Sequence, residues 1–395
     1  MCLESFLKTK GAEYAPFDPQ RAPRILEKLQ IYSNKNQIVI HIIGTNGKGS
    51  TGRFLSLMLR ELGFSVGHFT SPHLFNLNER FWLNGKLVSE NALNEAFASL
   101  EFAALKEASY FEVLTFLAKV VFRDCEILVL EAGLGGKFDS TTTCFNANLS
   151  LFTSIGFDHE AFLGNTIQEI ASTKLKAMAK EAILGFQNDN LEEIVKIAKE
   201  IATIKKANLE ILTKIPQEIL DYINKKEYAF FQAQNLSLAY FALEKLQKIF
   251  ANKFINFPHF TLKTLLESLP SLDLKGRMQR VAKNIICDVM HNVDGAKTIL
   301  KQLQNSDFSQ NKTILIYNSY FDKNPKEILR LLKPQIKRVE ILNIENPRII
   351  KKENLTRILK ELEIPSCDFK EIKENENYLV CGSFSVVAEF LKQCQ

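Results

Sequence analysis

The chain lacks the apolar stretches that would place a protein in a membrane. None of its hydrophobic runs approaches the roughly 20 residues that a transmembrane helix needs. Its first residues, MCLESFLKTKGAEY, are too polar for a secretory signal. Internal repeats and low-complexity segments are also missing. These absences predict an ordinary globular protein of the cytoplasm that has no membrane partner.

Cysteine is present, but not in a pattern that builds disulfides or zinc sites. The seven cysteines are odd in number and irregularly spaced, and no two of them form a CxxC pair. Disulfide frameworks use even numbers of cysteines, and zinc sites use closely spaced pairs. We therefore expect small core residues in a reducing compartment.

An excess of charge of one sign is also lacking. The 395 residues include 50 Lys and Arg against 45 Asp and Glu, which leaves a net charge of +5. The basic residues are scattered along the chain, whereas nucleic-acid binding needs a concentrated basic surface. We expect small anionic substrates and no nucleic-acid partner. No self-complementary stripe stands out, so we expect a monomer.

What the sequence does contain is an alternation of short apolar runs with helical patterns. Residues 38–43 predict a buried strand, and residues 48–62 predict a helix that ends at Gly63. Further strands are predicted at 64–69, 127–130, 149–153 and 182–186, and further helices at 111–122, 167–180 and 232–250. This alternation predicts an α/β fold with a parallel sheet and crossover helices.

The alternation breaks at residues 269–280, where Pro270 and Gly276 interrupt it, and a second series follows. The strands of this series are predicted at 285–289, 313–317, 339–342 and 378–381, and its helices at 298–303, 326–332, 355–362 and 386–392. We therefore predict a first domain over residues 1–272, a linker over 273–283 and a second, smaller α/β domain over 284–395. The length is sufficient for two such cores.

A glycine-rich turn joins the first strand to its helix. It reads GTNGKGS, from Gly44 to Ser50, and differs in spacing from the common GxxxxGK[ST] pattern. Its glycines let backbone N–H groups turn towards an anion, and the helix N-terminus adds a partial positive charge. Lys48 can reach the phosphates of a nucleotide, and Ser50 can ligate Mg²⁺. The alternative is a turn that binds no ligand.

Polar side chains follow the neighbouring predicted strands. Glu131 ends the run ILVLE, Asp158 and His159 follow another strand, and Ser71 lies in FTSPHL. The carboxyl ends of parallel strands meet at one edge of a sheet, and Mg²⁺ prefers oxygen ligands. The residues therefore predict a metal site at that edge. The alternatives are an exposed strand-end charge at Glu131, a structural or surface histidine at His159 and an ordinary turn at Ser71.

These motifs resemble a known family when they are taken together. In chain order they are GTNGKGS, TSPHL, EAGLGGKFDST, TSIGFDHEAFLG, LKGRMQRV, DVMHN and CGSF, and they extend over nearly the whole chain. The set is similar to folylpolyglutamate synthase and dihydrofolate synthase, which are relatives of the Mur ligases. The resemblance implies that residues 1–272 form a P-loop ATPase domain. Residues 284–395 would form a Rossmann-like glutamate ligase domain.

The resemblance also implies roles for individual residues. Catalytic roles fall on Lys48, Lys174 and His291. Nucleotide-binding roles fall on Gly44, Thr45, Asn46, Gly47, Lys48, Gly49, Ser50, Asn235, Arg277 and Asp288. Binding of two Mg²⁺ ions falls on Ser50, Ser71, Glu131 and His159. Lys174 lies where the family has a carbamylated lysine, and His291 and Ser383 lie where it binds glutamate.

Other interpretations of these residues stay open at this point. Lys174 lies in a helix with two other lysines, and most such lysines are solvated. Asn235 fits a helix cap or a surface amide, and Arg277 fits a linker charge. Ser383 fits a helix N-cap as well as an anion site. Around Lys174 the chain reads Thr-Lys-Leu-Lys, whereas the family usually has Glu-Lys-Ala-Gly.

The implied activity is ATP-dependent ligation of L-glutamate to a folate-type carboxylate. ATP would phosphorylate the carboxylate, and the glutamate amine would displace phosphate from the acyl phosphate. We expect a bifunctional enzyme that uses dihydropteroate and reduced folates. A folylpolyglutamate synthase with that activity alone and a Mur-type ligase with another acceptor are the alternatives.

The motifs also bear on two other classes of protein, a GTP-dependent switch and a binding module. A GTP-dependent switch would need an NKxD motif, but residues 224–227 read NKKE. A binding module with a degenerate nucleotide site is disfavoured because Lys48, Glu131 and His159 are all present. The motifs therefore favour the ligase.

Overall fold

The structure is a computed structural model that describes residues 2–11, 18–31, 34–250, 257–306, 308 and 312–394. The chain forms two compact units. The first unit comprises Met1–Lys226 and Gln232–Leu272, and the second comprises Glu227–Phe231 and Asp273–Gln395. The predicted α/β fold class is confirmed.

The first unit is built on a sheet that is mostly parallel. In its described part the strands β1 to β8 are Ile38–Ile43, Val66–Phe69, Phe81–Leu83, Lys86–Leu87, Ile127–Glu131, Leu149–Phe152, Glu181–Leu184 and Asn208–Ile211. Their spatial order is β4-β3-β2-β5-β1-β6-β7-β8. Only the pairs β2–β3 and β3–β4 of these strands are antiparallel. The sheet register pairs Ile42 of β1 with Glu131 of β5, which brings the end of β5 beside the glycine-rich turn.

Helices cover this sheet and pack apolar side chains against it. In the described residues α1 to α7 are Leu3–Lys8, Arg21–Leu29, Lys48–Glu61, Glu90–Ala98, Phe102–Leu105, Tyr110–Val121 and Ser140–Cys144. The remaining helices α8 to α13 are Glu160–Leu163, Ile167–Leu175, Leu191–Lys205, Gln217–Lys225, Phe231–Phe250 and Leu262–Ser268. One buried cluster includes Phe111, Leu114 and Leu128, and another includes Phe152 and Ile170. Each such side chain contributes about 1.5–3 kcal/mol by leaving water.

Most elements predicted in this unit are present, with ends shifted by a few residues. The helix predicted over 167–180 is shorter, because α9 ends at Leu175 and residues from Glu181 pair as β7 with β6. Residues 176–180 form a turn and an irregular segment, so the helix ends before the predicted strand. Residues 187–231 had no assigned pattern, and they contain α10, β8 and α11.

The second unit has its own sheet and its own apolar core. In the described residues its strands β9 to β14 are Gln279–Ala282, Ile285–Cys287, Thr313–Tyr317, Ile336–Ile341, Ser366–Asp368 and Tyr378–Cys381. Their order is β13-β12-β11-β14-β10-β9, and β9 is antiparallel to β10. The helices α14 to α17 are Val293–Gln304, Pro325–Leu332, Lys352–Glu361 and Phe384–Gln393. The segment 273–283, predicted as a linker, thus contains the edge strand β9.

Among the described residues, no helix is both long enough and apolar enough to cross a membrane.

Candidate active site

The glycine-rich turn is held between β1 and α3 by contacts to the segment that follows β6. Thr45 N–H donates to Ser154 O over 2.7 Å, and the Thr45 hydroxyl donates to Gly156 O over 3.0 Å. Gly47 has a φ of +88°, which an L side chain rarely adopts. The turn therefore has a defined shape in which α3 begins at Lys48 with its first N–H groups unpaired by the helix.

Lys48 and Glu131 meet at this turn. Lys48 Nζ lies 3.7 Å from Glu131 Oε1 and 3.2 Å from Thr45 O. Both side chains are largely buried, with exposures of 15% and 4%. The Lys48 ammonium can pair with the phosphates of a nucleotide, and the Glu131 carboxylate can ligate a metal ion bound to that nucleotide. The structure thus brings together two of the predicted site residues.

Ser50 and Ser71, two further predicted ligands, lie on segments that adjoin these groups. Ser50 is buried in the first turn of α3. Ser71 follows β2, and its N–H donates to Glu131 Oε2 over 3.2 Å. The Ser71–Pro72 peptide is cis. Both serines therefore adjoin groups of the predicted metal site, since Ser50 lies two residues after Lys48 in α3 and Ser71 contacts Glu131.

Lys174 is buried beside the glycine-rich turn and is not a solvated surface lysine. Only 4% of it is exposed, and its Nζ donates to Gly44 O over 3.0 Å. Burial lowers the pKa of Lys174 to about 7, and the nearby Lys48 ammonium also lowers it. The backbone of Lys174 packs directly against Gly136, where an added Cβ would lie 2.6 Å from Lys174 O. The amine is therefore partly neutral at physiological pH.

His159 stands at the start of the short helix α8. It has a left-handed backbone with φ 53°, and its Nε2 lies 3.8 Å from Asp158 Oδ2. The His159 side chain is 28% exposed, whereas that of Asp158 is 8% exposed. His159 follows the segment 154–156 that contacts Thr45, so the fold places it on the same side of the sheet as the glycine-rich turn.

Asn235 lies inside α12 and contacts the turn directly, which excludes a helix-cap role. A Cβ on Gly47 would be 2.4 Å from Asn235 Oδ1, and the Thr51 hydroxyl donates to the same oxygen over 3.5 Å. The Asn235 amide donates to Gln232 Oε1 over 3.0 Å. Its orientation is thus set by the turn on one side and by Gln232 on the other.

Asp139 organises the loop after Glu131, a role that sequence reasoning missed. Its carboxylate accepts N–H groups from Leu134 at 2.7 Å and Thr141 at 2.9 Å, and it caps α7. The Thr141 hydroxyl also donates to it and lies 2.7 Å from His41 Nε2. Burial raises the pKa of Asp139, and the Thr141 hydroxyl opposes that rise. The signal in the sequence was the Asp-Ser-Thr capping pattern after a glycine-rich segment.

In the second unit, Asp288 joins the segments that carry Arg277 and His291. Its carboxylate accepts the N–H of Met278 and the N–H of Met290, each over 2.8 Å. Burial raises the pKa of Asp288, and the Arg277 guanidinium opposes that rise. Asp288 is therefore an anchor of the two segments in this structure.

Phe384 lies between Arg277 and His291 in the same unit. The Arg277 guanidinium carbon is 5.2 Å from the centre of the Phe384 ring, and the His291 ring centre is 5.9 Å away. Ser383 precedes it and caps α17, since its hydroxyl accepts Val386 N–H over 3.2 Å. The N-cap interpretation of Ser383 is thus confirmed. Sequence reasoning overlooked the phenylalanine although the CGSF motif contained it.

The donor set of the first unit suits a hard divalent cation. Among the described residues no group of three or more His, Cys, Asp or Glu side chains could hold a metal. Mg²⁺ does not need such a group, because it takes one or two carboxylates together with phosphate oxygens and waters. Glu131, the Ser50 hydroxyl and Ser71 fit that pattern. The fold and this donor set define the class as a nucleotide-binding α/β enzyme of the P-loop type.

Comparisons with known proteins agree with this class and narrow it. No family model matches the chain. The dihydrofolate synthase/folylpolyglutamate synthase of Buchnera aphidicola subsp. Schizaphis graminum is 30% identical over 371 residues, which are 88% of this chain and 86% of the relative. The crystal structure of Helicobacter pylori folylpolyglutamate synthetase is 39% identical, with a TM-score of 0.75 over 100% of this chain and 98% of that one.

A third protein shows the same fold at lower identity. It is a bifunctional folylpolyglutamate synthase/dihydrofolate synthase solved with Mn, AMPPNP and L-glutamate, and it is 23% identical. Its TM-score is 0.80 over 100% of this chain and 98% of that chain. The chain belongs to the dihydrofolate synthase/folylpolyglutamate synthase family. The family and the ligase class that the motifs predict are confirmed.

Proposed function

We propose that this enzyme adds L-glutamate both to dihydropteroate and to reduced folates, with ATP as the source of energy. The observation that carries the proposal is the pairing of Lys48 Nζ with Glu131 Oε1 at 3.7 Å, beside a glycine-rich turn at a helix N-terminus. That arrangement suits phosphoryl transfer from a nucleotide. The membership of the chain in its family points to a folate-type carboxylate as the acceptor.

The turn from Gly44 to Ser50 would hold the triphosphate. Its N–H groups and Lys48 would bind the phosphates, and Asn235 would approach the adenine. Ser50, Ser71, Glu131 and His159 would hold Mg²⁺ ions, of which we propose two. When bound, Mg²⁺ neutralises phosphate charge and so favours attack on the γ-phosphate. The Mn and AMPPNP in a structure of the same fold support a nucleotide and a divalent metal ion as ligands.

We propose that Lys174 is carbamylated. A neutral amine attacks CO₂ to form an N-carboxylate and releases a proton. The Lys174 pKa of about 7 makes the neutral amine available. The carbamate nitrogen keeps one N–H, so the hydrogen bond to Gly44 O can persist. The new carboxylate would add a negative ligand beside Lys48 and the metal ions.

The reaction would proceed in two steps. A carboxylate oxygen of the acceptor attacks the γ-phosphate, and ADP leaves with Lys48 balancing the charge. The glutamate amine then attacks the acyl carbon, and phosphate departs from the tetrahedral intermediate. Neither step needs a nucleophilic serine or cysteine from the protein.

Residues of the second unit would bind two of the substrates, the nucleotide and the glutamate. We propose that Arg277 and Asp288 contact the nucleotide and that His291 and Ser383 serve the glutamate. The Ser383 hydroxyl already accepts Val386 N–H, but an oxygen keeps a second lone pair and can donate its own proton. In this scheme residues 1–272 are the ATP-binding domain, 284–395 are the glutamate ligase domain, and 273–283 join them.

A folylpolyglutamate synthase with that activity alone is the second candidate. The Helicobacter pylori protein carries only that name and is 39% identical to this chain. Curated relatives at 30% and 27% identity carry both names. The two candidates differ only in whether dihydropteroate is an acceptor, so one assay separates them.

The decisive assay measures phosphate release from Mg-ATP with L-glutamate and one acceptor at a time. Dihydropteroate and tetrahydrofolate are each expected to stimulate release. Lys48→Ala is expected to lower the rate about a hundredfold or more, because it removes a charge that stabilises the transition state. Lys196→Ala is the matched control, since Lys196 is exposed on α10 and should leave the rate unchanged.

The outcomes assign the function. Release with both acceptors supports the bifunctional enzyme, and release with tetrahydrofolate alone supports the second candidate. No release with either acceptor from folded protein that binds ATP would reject a folate substrate. Equal rates for Lys48→Ala and the unaltered protein would reject the proposed site.

A further inference from the structure

Glu131 presents its two carboxylate oxygens to different surroundings. Oε2 accepts the hydroxyl of Thr70 and the N–H of Ser71, the latter over 3.2 Å. Oε1 faces Lys48 Nζ at 3.7 Å. Oε2 therefore accepts hydrogen bonds from the protein, while Oε1 faces Lys48, the residue that would bind phosphate.

Thr70 is itself held in place by the sheet and is removed from solvent. It follows β2 directly, it is 7% exposed, and its N–H donates to Arg80 O over 3.0 Å. This backbone bond prolongs the pairing of β2 with the segment that leads into β3. The backbone that carries the Thr70 hydroxyl is thus held in place by the sheet.

The segment after Thr70 is anchored at its far end as well. The Glu79 carboxylate accepts the N–H groups of Leu74, Phe75 and Asn76 over 2.8–2.9 Å. Arg80 Nε donates to His73 Nδ1 over 2.9 Å. Residues 70–76 are therefore fastened at both ends, which keeps the Thr70 hydroxyl and the Ser71 N–H at Glu131.

We propose that Thr70 is a positioning residue that orients Glu131 for the metal ion. By donating to Oε2, its hydroxyl holds the carboxylate so that Oε1 stays directed at Lys48 and the nucleotide metal site. The inference rests on the proposed function for the identity of that metal site, and it goes beyond it by assigning a residue outside the ligand set. Hydrogen bonds to a ligating carboxylate commonly change metal affinity or activity by about 10–100-fold.

The test compares two substitutions at this position. Thr70→Val keeps the shape of the side chain and removes the hydroxyl, whereas Thr70→Ser keeps the hydroxyl. Binding of Mn²⁺ is measured in the presence of ADP from the electron paramagnetic resonance signal of free Mn²⁺. We expect the Mn²⁺ dissociation constant to rise about tenfold in Thr70→Val and to return to within about twofold of the unaltered value in Thr70→Ser.

A matched control separates this effect from loss of a buried hydroxyl in general. Thr313→Val makes the same change at a fully buried threonine of the second unit, whose hydroxyl has no hydrogen-bond partner among the described residues. We expect it to leave Mn²⁺ affinity unchanged. Thermal unfolding of each variant confirms that the proteins compared are folded.

Three results would overturn the proposal. The first is that Thr70→Val and the unaltered protein bind Mn²⁺ with equal affinity. The second is that Thr70→Ser binds Mn²⁺ as weakly as Thr70→Val. The third is that the unaltered protein does not bind Mn²⁺ in the presence of ADP. Failure of the ligase assay is a separate result, because the Mn²⁺ measurement needs no acceptor and no turnover. A protein that binds Mn²⁺ through Glu131 but uses another acceptor would still show the Thr70 effect.

Discussion

Lys174 illustrates how position alters the chemistry of a single residue. Its side chain is separated by 130 residues from Gly44, yet the fold brings its amine to the Gly44 carbonyl. Burial lowers the pKa of Lys174 to about 7, so a group that is almost wholly charged in water becomes partly neutral. The flanking residues differ from those usual in the family, but the burial that makes an amine reactive is present.

At the residue scale we expect Lys174 to bind CO₂ reversibly. With ¹³C-labelled bicarbonate, the protein should show a carbamate carbonyl resonance in its ¹³C NMR spectrum that Lys174→Met lacks. At equal dissolved CO₂ the signal should weaken as pH falls from 7 to 6, because the neutral fraction of the amine drops from about half to about a tenth.

A partly buried lysine, Lys119, is the control for this experiment. Burial also lowers the pKa of Lys119, whose Nζ donates to Cys144 O over 3.2 Å. Lys119→Met should retain the carbamate signal. A signal that survives in Lys174→Met, or one that disappears in Lys119→Met, would assign the carbamate to another amine.

At the scale of elements, the junction of β1 and α3 shows why a short turn needs particular residues. Gly47 has a φ of +88°, and a Cβ there would also lie 2.4 Å from Asn235 Oδ1. Its backbone conformation and its contact with α12 therefore both require glycine. Gly63, at the other end of α3, has a φ of +91° but nothing within 4 Å of an added Cβ.

These two glycines provide a matched pair of substitutions. Gly47→Ala and Gly63→Ala should each lower the free energy of unfolding by about 1–2 kcal/mol through the left-handed backbone. Only Gly47→Ala should also weaken ADP binding, by about tenfold or more, because the added methyl group displaces the turn or Asn235. Isothermal titration calorimetry with ADP distinguishes them. An equal loss of affinity in both variants would show that general instability is the cause.

At the scale of the whole molecule, each unit has its own apolar core. The cluster around β5 belongs to the first unit, and the cluster around β11 belongs to the second. Apolar burial is the main stabilising contribution to a folded unit. The free energy of unfolding of each unit is therefore expected to depend on its own core.

Calorimetry of two core variants checks this expectation. Leu315→Ala empties a fully buried position in the second unit, and Leu128→Ala does so in the first. Each should destabilise its own unit by about 2–5 kcal/mol and lower the midpoint of only one of two unfolding transitions. In Leu315→Ala, ADP should raise the midpoint temperature of the transition that belongs to the first unit. A single transition that both variants shift equally would contradict independent unfolding.

The sequence by itself determined the α/β class, the order of most strands and helices and the closeness of Lys48 to Glu131. Lys48 and Glu131 could be assigned to one site because Glu131 ends a strand and Lys48 follows the turn after another. The carboxyl ends of neighbouring parallel strands share one edge of the sheet. The strands at 38–43, 313–317 and 378–381 were predicted at the residues where they occur. Their runs are mostly apolar, with His41 and Thr313 as polar exceptions, and every residue in them is buried, as expected for strands covered on both faces.

Only the tertiary structure decided which side chains are buried and which atoms they contact. The Thr70 hydroxyl meets Glu131 across 61 residues of chain, and Asp288 receives N–H groups from two separate segments. Local periodicity carries no information on such contacts, because they depend on how strands pair and how closely a helix approaches the sheet. The same limit explains why Lys174 resembled a solvated lysine and why residues 187–231 had no assigned elements.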